Sequence, residues 1–267
     1  MKEFKALNVN DFKLTRLNKG HFGGGKFICT HIEDKTKYVL KPHNMGQTLN
    51  EIVAQHFLYA CGFNSIPTNM MIYKDGNVYG VTKYLNELKR IYSYNLKELT
   101  SYQREILVKL YFINDILNNL DEGEFFIDDK GDIYSLDYGE SIVTCGFLDY
   151  RIYEQDKDDR MKDYAKKFIE TQYTSNALFK DIDNAMFRFK EITDDVNGYF
   201  SHIEFDVIIG EVLCCIADID KSKFNELFEF IEKYHGPTIR SLYKTWLDSI
   251  VGACKELCNN NCELVFN

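Results

Sequence analysis

No apolar run in this sequence reaches the roughly 18 residues that a membrane-spanning helix needs, so the chain is expected to stay out of the bilayer. Its opening stretch, MKEFKALNVNDFKLTRLN, carries charges throughout and lacks the apolar block of a secretory leader, and a cytoplasmic location is expected. An excess of basic residues is missing as well. Lys and Arg number 32 against 41 Asp and Glu, a formal net charge of −9. That balance argues against general nucleic-acid or anionic-membrane binding, which need basic faces, and leaves room only for a local phosphate site. The six histidines form no HxH or HxxxH pair, and the eight cysteines form no CxxC, so the common zinc sites are not expected. Cys254, Cys258 and Cys262 stack along one helix face and read as part of a terminal helix. Cys29, Cys61, Cys145, Cys214 and Cys215 lie in apolar surroundings and read as reduced core residues. Internal repeats and low-complexity tracts are also absent.

What is present is a large apolar reserve. Hydrophobic residues make up 45% of the 267 positions and aromatics 15%, enough for a sizeable core in one large domain or two lobes. The pattern is β-like first and helical later, so the expected class is α+β. Residues 1–85 are read as a β-rich lobe with one helix, 86–99 as a linker and 100–267 as a helical lobe. The helix follows the apolar positions Leu49, Ile52, Val53, Phe57 and Leu58 and stops near Gly62. Asp75-Gly76 marks a hairpin between Met70–Tyr73 and Asn77–Thr82. In the second half, helices are expected at about 155–171, 175–191, 203–217, 221–234 and 237–258, the last two separated by Gly236-Pro237.

Three stretches carry candidate chemistry. The loop Asn18–Lys26 concentrates Gly20, Gly23, Gly24 and Gly25, and such a loop can turn its N–H groups toward phosphates. It fits GxxxxGK, but Phe27 stands where a P-loop has Ser or Thr, and a β-like run follows where a P-loop opens a helix. A glycine loop between two strands is the better reading, with a plain hairpin turn as the alternative. One hairpin later, Tyr38-Val39-Leu40-Lys41-Pro42 reads as a strand that ends on a lysine. Glu51 has two readings: capping-box partner of an N-cap at Thr48, or carboxylate partner of Lys41. The third stretch, Tyr111–Ser141, runs from an apolar helix end through Asp121 and a hairpin to Asp137-Tyr138-Gly139. An Asp on a loop after a helix and a second Asp before a Gly is the layout of a catalytic loop and a metal-binding loop.

Taken together, these parts resemble the HipA-like kinase family of bacteria. The resemblance rests on Tyr38–Pro42, Leu49–Ala54, Gly62–Pro67, Phe112–Asp121 and Ile133–Gly139. It implies a bilobal protein-kinase-like fold that uses ATP and Mg2+, with a protein Ser or Thr as the expected acceptor. It also implies roles: the four glycines cover the phosphates, Lys41 contacts them and is oriented by Glu51, Asp121 takes the acceptor proton, and Asp137 holds the metal. Adenine would sit against the linker. The family has an Asn five residues after the catalytic Asp, whereas this chain has Phe126; Glu124 and Asn119 are the remaining oxygen donors for that metal position. Alternative readings are a pseudokinase or binding module with a degenerate loop, and a small-molecule or lipid kinase. A protein substrate or partner is expected, and oligomeric state is left open.

Overall fold

The structure, a computed structural model, describes residues 4, 6–16, 27–41, 45–72, 78–85, 88–91, 96–119, 124–139, 141–142, 166–167, 169–178, 180 and 199–261. The architecture is α+β, with a sheet in the first part and helices in the second. Strands β1 (Ala6–Asn8), β2 (Phe12–Arg16), β3 (Phe27–His31), β4 (Lys37–Lys41), β5 (Thr68–Ile72) and β6 (Val78–Lys83) form one sheet in the order β1-β5-β6-β4-β3-β2. All neighbours are antiparallel except β1 and β5. The two-residue period of a strand sorts its faces. Phe12, Cys29, Leu40, Met71 and Val81 point to one side and make a small core of their own. Val39, Lys41 and Thr82, offset by one residue, point to the other side.

Helix α1 (Met45–Ala60) lies on that second side. It ends in a Schellman arrangement, with Phe63 N–H on Leu58 O, Gly62 N–H on Tyr59 O, and Gly62 at φ 83°. The helix begins at Met45, one turn before Thr48, and Thr48 is fully buried. Thr48 is therefore no N-cap, and the capping-box reading of Glu51 falls. Instead Thr48 packs on Gly80 of β6, where a Cβ would stand 3.4 Å from its Oγ1; glycine lets the helix approach the sheet.

The connector after β6 is not wholly irregular. It contributes β7 (Lys89–Arg90), which pairs with β8 (Glu124–Ile127), and β8 pairs with β9 (Ile133–Leu136) in a second sheet. Between connector and hairpin runs α2 (Ser101–Ile116), opened by a capping box of Thr100 and Gln103. The Gln103 amide also donates to Gly131 O at the β8–β9 turn. Helix α3 (Phe205–Ala217) and helix α4 (Asn225–Asn261) close the fold. Gly236, at φ 83° and ψ 168°, breaks α4 into two helices just before Pro237, where the sequence pattern puts the stop.

One continuous core joins α1, α2, α3, α4 and the β8–β9 hairpin. Helix α1 is buried along most of its length, with α4 and the short 3-10 turn before it (Lys221–Phe224) packed on it as well as the sheet. Phe57 packs on Trp246, and His56 Nε2 meets Lys223 O at 2.9 Å. Burial pushes the pKa of His56 down to about 4 and does the same to His235. Both folded values lie below the unfolded one, so the unfolded chain holds the extra protons between them. The stability involved is complete above pH 6.5 and is lost as pH falls toward 4, at about 1.4 kcal/mol per pH unit for each histidine. Urea unfolding from pH 7 to 4.5 should show this slope, and His56→Gln should flatten it by about half; an unchanged slope would refute the assignment.

Candidate active site

Three charged side chains from separate elements meet at the end of β4, an interior strand of the sheet. Lys41 is the last residue of β4, and its Nζ lies 3.0 Å from Asp137 Oδ1 and 3.7 Å from Glu51 Oε2. Glu51 is on the buried face of α1, and Asp137 directly follows β9. Burial opposes the charge on Lys41, but the carboxylates of Glu51 and Asp137 outweigh it and hold its pKa above the ordinary lysine value. Burial raises the pKa of Glu51, against the pull of the Lys41 ammonium.

Asp137 has φ 72°, in the left-handed region that costs most residues of order 1–3 kcal/mol. Helix α1 holds the backbone there. Glu51 Oε2 accepts from Tyr138 N–H at 2.6 Å, and Asn50 Nδ2 donates to Gly139 O at 3.0 Å. One turn on, Gln55 Nε2 donates to Ser135 O and Gln55 Oε1 accepts from Ile66 N–H, both at 2.9 Å. Asn50, Glu51 and Gln55 thus tie α1 to the end of β9 and the residues after it. Asn50 is held in turn by α4, since the Tyr243 hydroxyl donates to Asn50 Oδ1 at 2.8 Å. Asn50, Gln55 and Tyr243 were missed from sequence; the available signal was Gln55 one helical turn after Glu51, with Asn50 beside it. Tyr243→Phe leaves the buried Asn50 oxygen without this donor and should cost about 1–3 kcal/mol in denaturant unfolding. A loss below about 0.3 kcal/mol would show that the bond contributes little.

Two of the three charges, Lys41 and Asp137, border a cleft of about 240 Å³, and Glu51 is buried behind them. Val39, Ile66, Leu136 and Phe126 give it apolar walls, Tyr84, Leu85 and Leu88 of the connector line it, and Lys83 adds a cation. Glu124 also lines the cleft, and Arg90 holds it at 2.7 Å from Nη2 to Oε1. Asn119 sits below, its amide 3.4 Å from Asp137 O. Lys41, Glu51, Asp137, Asn119 and Glu124 are therefore gathered in one place, while Gly20, Gly23, Gly24, Gly25 and Asp121 lie outside the described residues.

A solved kinase structure is among those similar to this chain. It is the crystal structure of a Helicobacter pylori proinflammatory kinase CtkA, at a TM-score of 0.49 and 13% identity, over 98% of this chain and 99% of that one. No protein-family profile matches the chain, and no curated protein does. The residues of the cleft, rather than that likeness, carry the functional reading.

Oxygen donors suit Mg2+, which commonly takes one or two carboxylates and completes its shell with phosphate oxygens and water. Asp137 fits that use, being a partly exposed carboxylate that lines the cleft. Among the described residues, no group of three or more His, Cys, Asp or Glu could hold a metal ion unaided. Glu124, tied to Arg90 through Oε1, would have to serve through Oε2.

Proposed function

We propose that this protein is an ATP- and Mg2+-dependent phosphotransferase of HipA-like type that acts on an alcohol, with Ser or Thr of a protein as acceptor. The observation that carries the reading is the Lys41 ammonium, buried between Glu51 and Asp137 at the border of an apolar-walled cleft. The apolar walls suit a nucleobase, and the charged end suits phosphates. Lys41 would hold the α- and β-phosphates, while Glu51, fixed on α1, would keep the ammonium aimed at them. Asp137 would hold Mg2+, which neutralises charge developing on the phosphate oxygens. Gly20, Gly23, Gly24 and Gly25 would cover the phosphates, and Asp121 would accept the acceptor proton. Glu124 and Asn119 are the candidates for further metal contacts.

Thermal melting with ATP and Mg2+, set against ATP with a chelator, tests the first part. A metal-dependent rise of several degrees at millimolar nucleotide is expected, and it should disappear in Asp137→Asn. No rise in the parent protein would sink the proposal. Transfer from γ-labelled ATP tests the second part and should fall in both Asp121→Asn and Asp137→Asn. A second reading, a scaffold that holds nucleotide without transferring phosphate, is supported by Phe126 in the cleft, a side chain that cannot ligate. It predicts the metal-dependent shift with no transfer.

A further inference from the structure

The phosphotransferase reading makes no use of the cysteines, yet the fold gathers several of them between α1, α3 and α4. Cys215 of α3 donates through its thiol to Cys61 O at the end of α1, at 2.8 Å. Next to it, Cys214 Sγ lies 3.5 Å from Cys258 Sγ of α4. Cys254, one turn before Cys258 on the same helix face, is fully buried. Small apolar side chains suffice to explain Cys61 and Cys254, which are core residues. They do not explain Cys214, which is exposed. It is an accessible thiol in van der Waals contact with a second, half-buried thiol on a different helix.

We propose that Cys214 and Cys258 form a reversible modification site: a dithiol that low-molecular-weight disulfides oxidise to a bridge between α3 and α4. Cys214, the more exposed of the two, attacks first as its thiolate. It forms a mixed disulfide and expels one thiolate, which takes up the proton that Cys214 gave to water. Cys258 then loses its proton and attacks the Cys214 sulfur, forming the bridge and expelling the second small thiol. Two electrons pass from the cysteines to the small disulfide, which leaves as two thiols. The sulfurs must close from 3.5 Å to the bonded distance of about 2.05 Å. The bridge would tie α3 to the helix that clamps α1 through Trp246 and Tyr243. Its effect would therefore be to stiffen the support of the cleft.

The test uses the full chain and millimolar oxidised glutathione, followed by alkylation, mass mapping and thermal melting. The expected result is a loss of two hydrogens, a bridge mapped to Cys214 and Cys258, and a melting temperature raised by roughly 5 °C or more, all reversed by dithiothreitol. Cys214→Ser and Cys258→Ser should each abolish the bridge and the rise. Cys215→Ser, Cys254→Ser and Cys262→Ser should retain both, and they guard against a neighbouring thiol being the true partner. A bridge that maps to any other pair overturns the proposal. So does a glutathione adduct on Cys214 that never resolves, or an unreacted pair in a protein that melts normally. None of these outcomes depends on nucleotide binding.

Discussion

Lys41→Met is expected to reduce phosphoryl transfer by at least about 100-fold, the usual loss when a preorganised charge is removed from an active site. The same substitution should also weaken the fold, because it leaves Glu51, only 1% exposed, without its cation and beside Asp137. Breaking a buried pair from one side typically costs about 3–5 kcal/mol. The pH dependence separates this cause from a simple packing loss. Without Lys41, burial and the Asp137 charge push Glu51 further in the direction in which burial already moves it, above its unfolded value. A carboxyl whose folded pKa is raised supports the fold fully below its unfolded pKa and loses that support as pH rises through the folded value. The variant should therefore lose up to about 1.4 kcal/mol per pH unit on going from acid to neutral, and Glu51→Gln added to it should abolish that slope. Activity would not return in the double variant, since the Lys41 ammonium is still missing. A destabilisation that does not vary with pH would show that Glu51 is not the group left behind.

Trp246→Ala should produce the largest loss of stability from a single apolar position, about 3–5 kcal/mol. The indole is fully buried, with its ring centroid 5.4 Å from Phe57 of α1 and 6.3 Å from Tyr173. Its removal would open a cavity at the place where α4 supports the helix that carries Asn50, Glu51 and Gln55. Because Trp246 is the single tryptophan, the comparison needs circular dichroism rather than intrinsic fluorescence. Tyr102→Ala is the control: that ring is 70% exposed and its loss should stay within about 0.5 kcal/mol. If both variants lost equally little, α4 would not be the clamp on α1.

Much of the fold was legible because its signals are local. Apolar positions at helical spacing located α1, and Gly62 and Gly236 stopped their helices through backbone torsions that glycine adopts freely. The β5–β6 pairing followed from alternation around an Asp-Gly turn. The strand β7 was not legible. Two residues carry no period, and Lys89 and Arg90 become a strand only because β8 offers its edge. Glu51 was ambiguous for a related reason: a capping box and an ion pair call for the same residue, and only the start of α1 at Met45 decides between them.

The sequence by itself determined the order of parts: strands before helices, a lysine at a strand end, a glutamate on the next helix, and an aspartate ahead of Tyr-Gly. These follow from periodicity and backbone preference, which act over a few residues. Only the tertiary structure decided that Lys41, Glu51 and Asp137 touch, and that α1 reaches Asp137 through Asn50, Glu51 and Gln55 while α4 packs on it. Contacts between residues far apart in the chain depend on how sheet and helices pack, and no local pattern encodes that distance. The same holds for Glu124, in the stretch where the sequence departs most from the family pattern it resembles: it is held by Arg90, a partner that the strand pairing of β7 and β8 supplies.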